Sequence, residues 1–142
     1  MEYRKFGNYI VIRADADDEV AAVIRQVAEQ EKVTFAKVSG IGAVRRVTLA
    51  FYHTESNEYR TNYFPGMYEI TSMMGNVMTD ESGNAHVHAH VTIADRGHRI
   101  YGGHLRSAIV TANSEIILEV IPVENLSRIC SEEYHRCSLK FD

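Results

Sequence analysis

The chain has 142 residues, 45% of them apolar and 24% charged, with a net charge of −4 and a pI near 6.0. That is ordinary for one globular domain, long enough to bury a core without staples, and it excludes a broad nucleic-acid footprint, which wants a basic face. No apolar run reaches the roughly 18 residues of a bilayer-spanning helix, and residues 1–9 lack a signal-peptide core, so the expected setting is the cytoplasm with no membrane partner.

Residues 8–13 (NYIVIR) read as a first strand, rich in β-branched side chains. The acidic stretch 15–19 then fits a helix start, with Asp17 as the expected cap. Val20, Val23, Ile24, Val27 and Ala28 recur at helical spacing, predicting one amphipathic helix that ends near Lys32. From Thr34 the period changes to two. Strands are expected at 35–39, 47–53, 59–63 and 68–78, with a turn or bulge at Gly40 and Gly42 and an end at Pro65-Gly66. A kink is expected at Gly75. Further strands follow at 85–94, 99–105 (interrupted at Gly102-Gly103), 108–111 and 115–122. One helix and seven to nine short strands make an α+β domain, its sheet mainly antiparallel because the connections are too short for crossovers. A single domain spanning 1–142 is expected, with a core of about 5–122 and a tail of 123–142. The tail is expected to hold a helical turn at 126–129 and a short strand. Its cysteines, Cys130 and Cys137, read as free thiols of a solvated tail; His135 is the one conceivable metal companion for Cys137.

Five of the seven histidines, His86, His88, His90, His98 and His104, fall within residues 86–104. Alternate strand residues share a face, so His86, His88 and His90 form a row. Two imidazoles of that row can tilt toward one ion, and His104, beyond a short turn, supplies a third from the next strand. For His90 to face His104, paired residue numbers must sum to 194. Ala94 then opposes Ile100, and Asp95 opposes Arg99 across the three-residue loop Arg96-Gly97-His98. A two-residue loop would turn His104 to the wrong face unless Gly102-Gly103 formed a bulge. Three histidines with one open position is a zinc arrangement, although another divalent metal is an alternative. The open position would take water, a small-molecule ligand or a group from another chain. His98 is the weakest member of the cluster. Arg96, Arg99 and Arg106 flank it, and Arg45-Arg46 form a second local basic pair.

The stretch 88–105, HAHVTIADRGHRIYGGHL, resembles the signature of the plants-and-prokaryotes-conserved (PPC or PCC) domain: HxH, a short run to a turn, then GGHL. His88, His90 and His104 match its histidines, and Gly102, Gly103 and Leu105 its closing block. Residues 38–43 (VSGIGA), Gly75-Asn76 and 115–120 (EIILEV) are similar to further family segments, so the resemblance covers roughly residues 5–122. It implies an α+β fold, a homotrimer and a metal site formed by the three histidines in prokaryotic members. In plants the domain follows AT-hooks and serves DNA-associated regulators mainly through protein contacts. This chain has no RGRP-type AT-hook, so DNA is at most a weak partner on charge grounds. His86 is an addition to the family pattern.

Two functional readings follow. One is a metal-binding, zinc-loaded, homotrimeric regulatory domain with DNA association as its open branch. The other is a zinc-dependent enzyme acting on a small molecule through the open position, with Glu69, Asp95, Glu115 and Glu119 as candidate acids or bases. A cupin-like barrel fits less well, because residues 91–94 carry no carboxylate after HxH.

Overall fold

A computed structural model describes residues 1–134 and 136–141. Its elements are β1 (Glu2–Phe6), β2 (Tyr9–Asp15), α1 (Val20–Gln30), β3 (Phe35–His53), β4 (Glu58–Thr79), β5 (Ala85–Ala94), β6 (Ile100–Val120), β7 (Leu126–Ser131) and β8 (Arg136–Phe141). The main sheet is antiparallel in the order β1-β2-β6-β3-β4-β5, and β5 also pairs with the start of β6. That extra ladder closes β6, β3, β4 and β5 into a ring. β7 and β8 form a separate hairpin. The fold is α+β and mostly antiparallel sheet, as the pattern predicts.

Alternation builds the core. On β2, Ile10, Ile12 and Ala14 are fully buried while Val11 and Arg13 face out. α1 buries Val20, Ala21, Val23, Ile24, Val27 and Ala28 against the same layer. Val38 of β3 and Ile116 and Leu118 of β6 complete it, and each such side chain contributes roughly 2 kcal/mol through burial. The helix starts one residue pair later than expected. Its cap is Glu19, whose carboxylate accepts from the amides of Ala21 (3.2 Å) and Ala22 (2.7 Å). Asp17 instead takes a positive φ and pairs with Arg45, so it is no cap.

Fewer, longer strands replace the short series. β3 runs through Gly40–Gly42 with a register shift there and another at Arg45/Val47. β4 passes through Pro65-Gly66 without ending and is irregular at Ile70/Ser72, not at Gly75. β6 continues through Gly102-Gly103 to Val120. β1 escaped the pattern altogether: its five residues pair with β2 at the sheet edge and are mostly exposed, so they show no apolar alternation.

The tail departs most. Residues 126–131 are strand β7, not a helical turn, and Cys130 lies directly opposite Cys137 in the β7–β8 register. The two are joined in a disulfide, so they are not the free thiols expected from compartment alone. Facing positions of a tight hairpin bring two sulfurs together whatever the surrounding composition. His135 lies outside the described residues. No helix among the described residues is long and apolar enough to cross a membrane.

Candidate metal centre

β5 places its histidines by simple alternation. Ala85, Ala89, Val91 and Ile93 are buried, whereas His86, His88 and His90 occupy the opposite face. The β5–β6 turn sets the rest. The Asp95 amide donates to the Arg99 carbonyl at 3.0 Å, and Ala94 pairs with Ile100, so Arg96-Gly97-His98 is the three-residue loop of the predicted register. The Asp95 carboxylate accepts from the amides of Gly97 and Arg99 and so holds the loop. His98, not Gly97, takes the left-handed conformation, at φ 61°. Counting on from this loop, His90 pairs directly with His104. Asn76 of β4 faces His88 from the other side.

Two glycines bring the neighbouring backbones close enough. A Cβ on Gly75 would lie 2.1 Å from the His88 carbonyl oxygen, so any side chain there would displace the strand that carries the ligands. A Cβ on Gly103 would lie 2.9 Å from the Ala50 carbonyl oxygen, in the strand that pairs with His104.

His88, His90 and His104 converge. Their ring centroids are 5.2–5.5 Å apart, and one ring nitrogen from each lies within 4.8 Å of the others. Nitrogens on one tetrahedral zinc stand about 3.3 Å apart, a closure that small ring rotations supply. The donor chemistry fits a metal. His104 Nδ1 is buried and has no hydrogen-bond partner. Burial, reinforced by Arg106 and by His88 and His90, pushes the His104 imidazole down to about 4. Burial, then Arg128 and His90, also holds His88 below its ordinary range. At neutral pH both rings are therefore neutral, the form that ligates metal.

A cavity of about 270 Å³ opens beside the triad, lined by His88, His104, Tyr59 and four arginines among others. The Tyr59 ring lies 5.4 Å from that of His104, and the Arg106 guanidinium lies 4.5 Å from the centre of the Tyr59 ring. Arg128, from β7, donates to Asn76 Oδ1 and thereby ties the tail hairpin to β4 beside His88. A larger cavity of about 840 Å³ lies alongside, between the β4–β5 turn and β7, but among the clustered histidines only His86 touches it.

The other candidates do not join the triad. His86 shares the row and lines the same cavity, but bonds Asp80 at 3.0 Å, on the β4–β5 turn. His98 is exposed in its loop. Glu119 pairs with Lys37, Asp95 is engaged by its own loop, and neither Glu69 nor Glu115 lines the cavity. Of the flanking arginines only Arg106 reaches the site, since Arg99 pairs with Asp95 and Arg96 contacts Met67. Arg128, Arg136 and Tyr59 went unmarked in the sequence. They come from distant segments, and no local spacing signals them.

The Plants and Prokaryotes Conserved (PCC) domain model matches residues 1–122. No curated protein matches the chain in sequence. Several solved structures do. A plant- and prokaryote-conserved (PPC) protein of Pyrococcus horikoshii shares 27% identity with a TM-score of 0.83, over 94% of this chain and 91% of that one. A metal-containing protein of Archaeoglobus fulgidus shares 29% identity with a TM-score of 0.81, over 94% and 93%. A protein of Ralstonia eutropha JMP134 to which DNA binding is ascribed shares 26% identity with a TM-score of 0.86, over 99% and 96%.

Proposed function

The chain belongs to the Plants and Prokaryotes Conserved domain family, and from that premise we propose that it is a homotrimeric metal-binding regulatory domain whose ion, zinc first among the candidates, is held by His88, His90 and His104. One observation carries the reading: three imidazoles from two paired strands bring their nitrogens within 4.8 Å of one another. The buried, unpartnered Nδ1 of His104 supports it, because such an atom is costly unless something binds it. The metal-containing Archaeoglobus relative supports it from outside the chain.

Self-association has its own support. Val11, Ile117, Ser39, Met74 and His90 are register partners in one row across five strands, and Val11, Ile117 and Met74 are exposed. Apolar rows of this kind are usually covered, and closed three-fold packing would cover this one at the edge of the histidine site. DNA is the partner suggested by the Ralstonia relative; with a charge of −4 the isolated chain is expected to bind duplex weakly and without sequence preference.

The second reading is a zinc-dependent enzyme acting on a small molecule. The cavity beside the triad favours it. Among the described residues no carboxylate lines that cavity, so they offer no general acid or base of the expected kind there, which weights the choice toward binding.

The test is metal analysis of untagged protein. His90→Ala and His104→Ala are expected to lose stoichiometric metal, while His98→Ala keeps it. Full occupancy in His104→Ala would refute the triad. Light scattering on the same samples checks the trimer, and a mass near the 16.1 kDa of one chain would eliminate it.

A further inference from the structure

Four arginines reach the cavity beside the triad from four separate elements: Arg25 on α1, Arg106 on β6, Arg128 on β7 and Arg136 on β8. Among the described residues, none of them is ion-paired, whereas Arg4, Arg13, Arg45 and Arg99 elsewhere each meet a carboxylate. Neither Asp nor Glu among the described residues lines the cavity. Instead two of them lie against aromatic faces: Arg106 over Tyr59 at 4.5 Å, and Arg136 near Tyr52 at 5.8 Å and Tyr134 at 5.5 Å. Stacking of this kind orients a guanidinium and leaves its N–H edge free to bind. Arg128 donates to Asn76 Oδ1 at one nitrogen, but its Nε is buried with no partner. In a chain that is net acidic, four unpaired cations around one cavity leave a charge that something must balance. The imidazoles of the triad supply no negative charge, so a bound dication would sharpen the imbalance.

We propose that this cavity binds the oxyanion group, phosphate or carboxylate, of a small molecule through Arg106 and Arg128 beside the three histidines. Guanidinium forks match both anions geometrically, and a metal on the triad would present its open position to the same ligand. A volume of about 270 Å³ is at the small end of ligand pockets and suits a small molecule, not a duplex. Two of the four arginines lie beyond residue 122, so the tail hairpin converts a bare metal site into an anion pocket. The inference deepens the metal reading of the same histidines but stands on the arginines.

Calorimetric titration of the metal-loaded full chain, at fixed ionic strength in a non-coordinating buffer, tests it with inorganic phosphate, malonate and a short DNA duplex as probes. Saturable binding of phosphate or malonate is expected, and the tighter of the two identifies the ligand's head group. Arg106→Gln and Arg128→Gln are each expected to weaken it about tenfold or more with metal content unchanged, and Arg128→Lys by less. Arg106 is exposed, so its variant keeps the test usable if Arg128→Gln fails to fold. Absence of small-anion binding, or wild-type affinity in both Gln variants, would overturn the proposal while leaving the metal reading intact. Duplex binding that displaces phosphate and depends on the same arginines would also overturn it. Arginine-dependent phosphate binding in a metal-free His104→Ala protein would uphold the anion site and remove only the metal.

Discussion

The β5–β6 pair that carries the triad and the β7–β8 hairpin that faces it are both antiparallel ladders lining one cavity. They differ in what fixes them. On β5–β6, alternation sets the face, the Asp95-braced loop sets the register, and His90 meets His104 by counting along the chain. The hairpin lies where it does because Arg128 bonds Asn76, Tyr52 Oη donates to the Tyr134 carbonyl, and Cys130 is joined to Cys137. The first wall is written locally and buried against the core. The second is a mostly exposed strand pair held by a few specific links. Chemistry that needs fixed geometry is therefore expected from the first wall, and selectivity that can be tuned from the second.

The comparison breaks most severely at Gly75. Gly75→Ala forces a methyl group into the backbone of His88, 2.1 Å from its carbonyl oxygen, with no flexible side chain to yield. A loss of about 3 kcal/mol of folding stability is expected in denaturant titration, together with weakened metal binding. An unchanged midpoint would show that β4 does not hold β5 in place.

Next in size is the staple on the other wall. Reducing the Cys130–Cys137 disulfide, or replacing both with Ser, removes a covalent closure of a short loop, worth roughly 2 kcal/mol to the hairpin. Hydrogen exchange is expected to rise in β7 and β8 while β5 and β6 stay protected and metal content stays whole. If the metal leaves with the disulfide, the two walls are not independent.

The smallest effect is acid sensitivity of the metal-free protein. His104 binds its proton near 4 when folded and near 6.5 when unfolded, and His88 is displaced in the same direction. Between those values the unfolded state holds more protons, so stability is full above about 6.5 and falls as pH drops toward 4. Both rings are only partly buried and solvent screens them, so a shallow slope in melting temperature is expected, absent from a His88→Ala/His104→Ala double variant. An equal slope in that variant would assign the acid sensitivity to other groups.

The same division explains what was legible in the sequence. The triad and its register follow from period-two alternation and one loop length, both visible over seventeen residues from His88 to His104. The helix follows from its apolar stripe, but its cap does not: Asp17 is the more usual capping residue, yet Glu19 caps the helix, its carboxylate also accepting from the Ala108 amide of β6. Strands run on past Gly40, Pro65 and Gly102-Gly103, because pairing on both sides overrides local breaker chemistry; at Gly40 and Gly42 the expected bulge is present as a register shift within β3. The tail was least legible. Its disulfide depends on a hairpin register, and the reach of Arg128 and Arg136 to the cavity depends on docking against β4 and β3, neither of which leaves a periodic signal.

X-ray absorption spectroscopy of the zinc-loaded, untagged protein tests the central claim most directly. The account predicts a first shell of nitrogen and oxygen at about 2.0–2.1 Å, with the multiple-scattering signature of three imidazoles and no sulfur. A sulfur shell at about 2.3 Å, drawn from Cys130 or Cys137, or a shell with one imidazole or none, would contradict it and move the metal away from His88, His90 and His104.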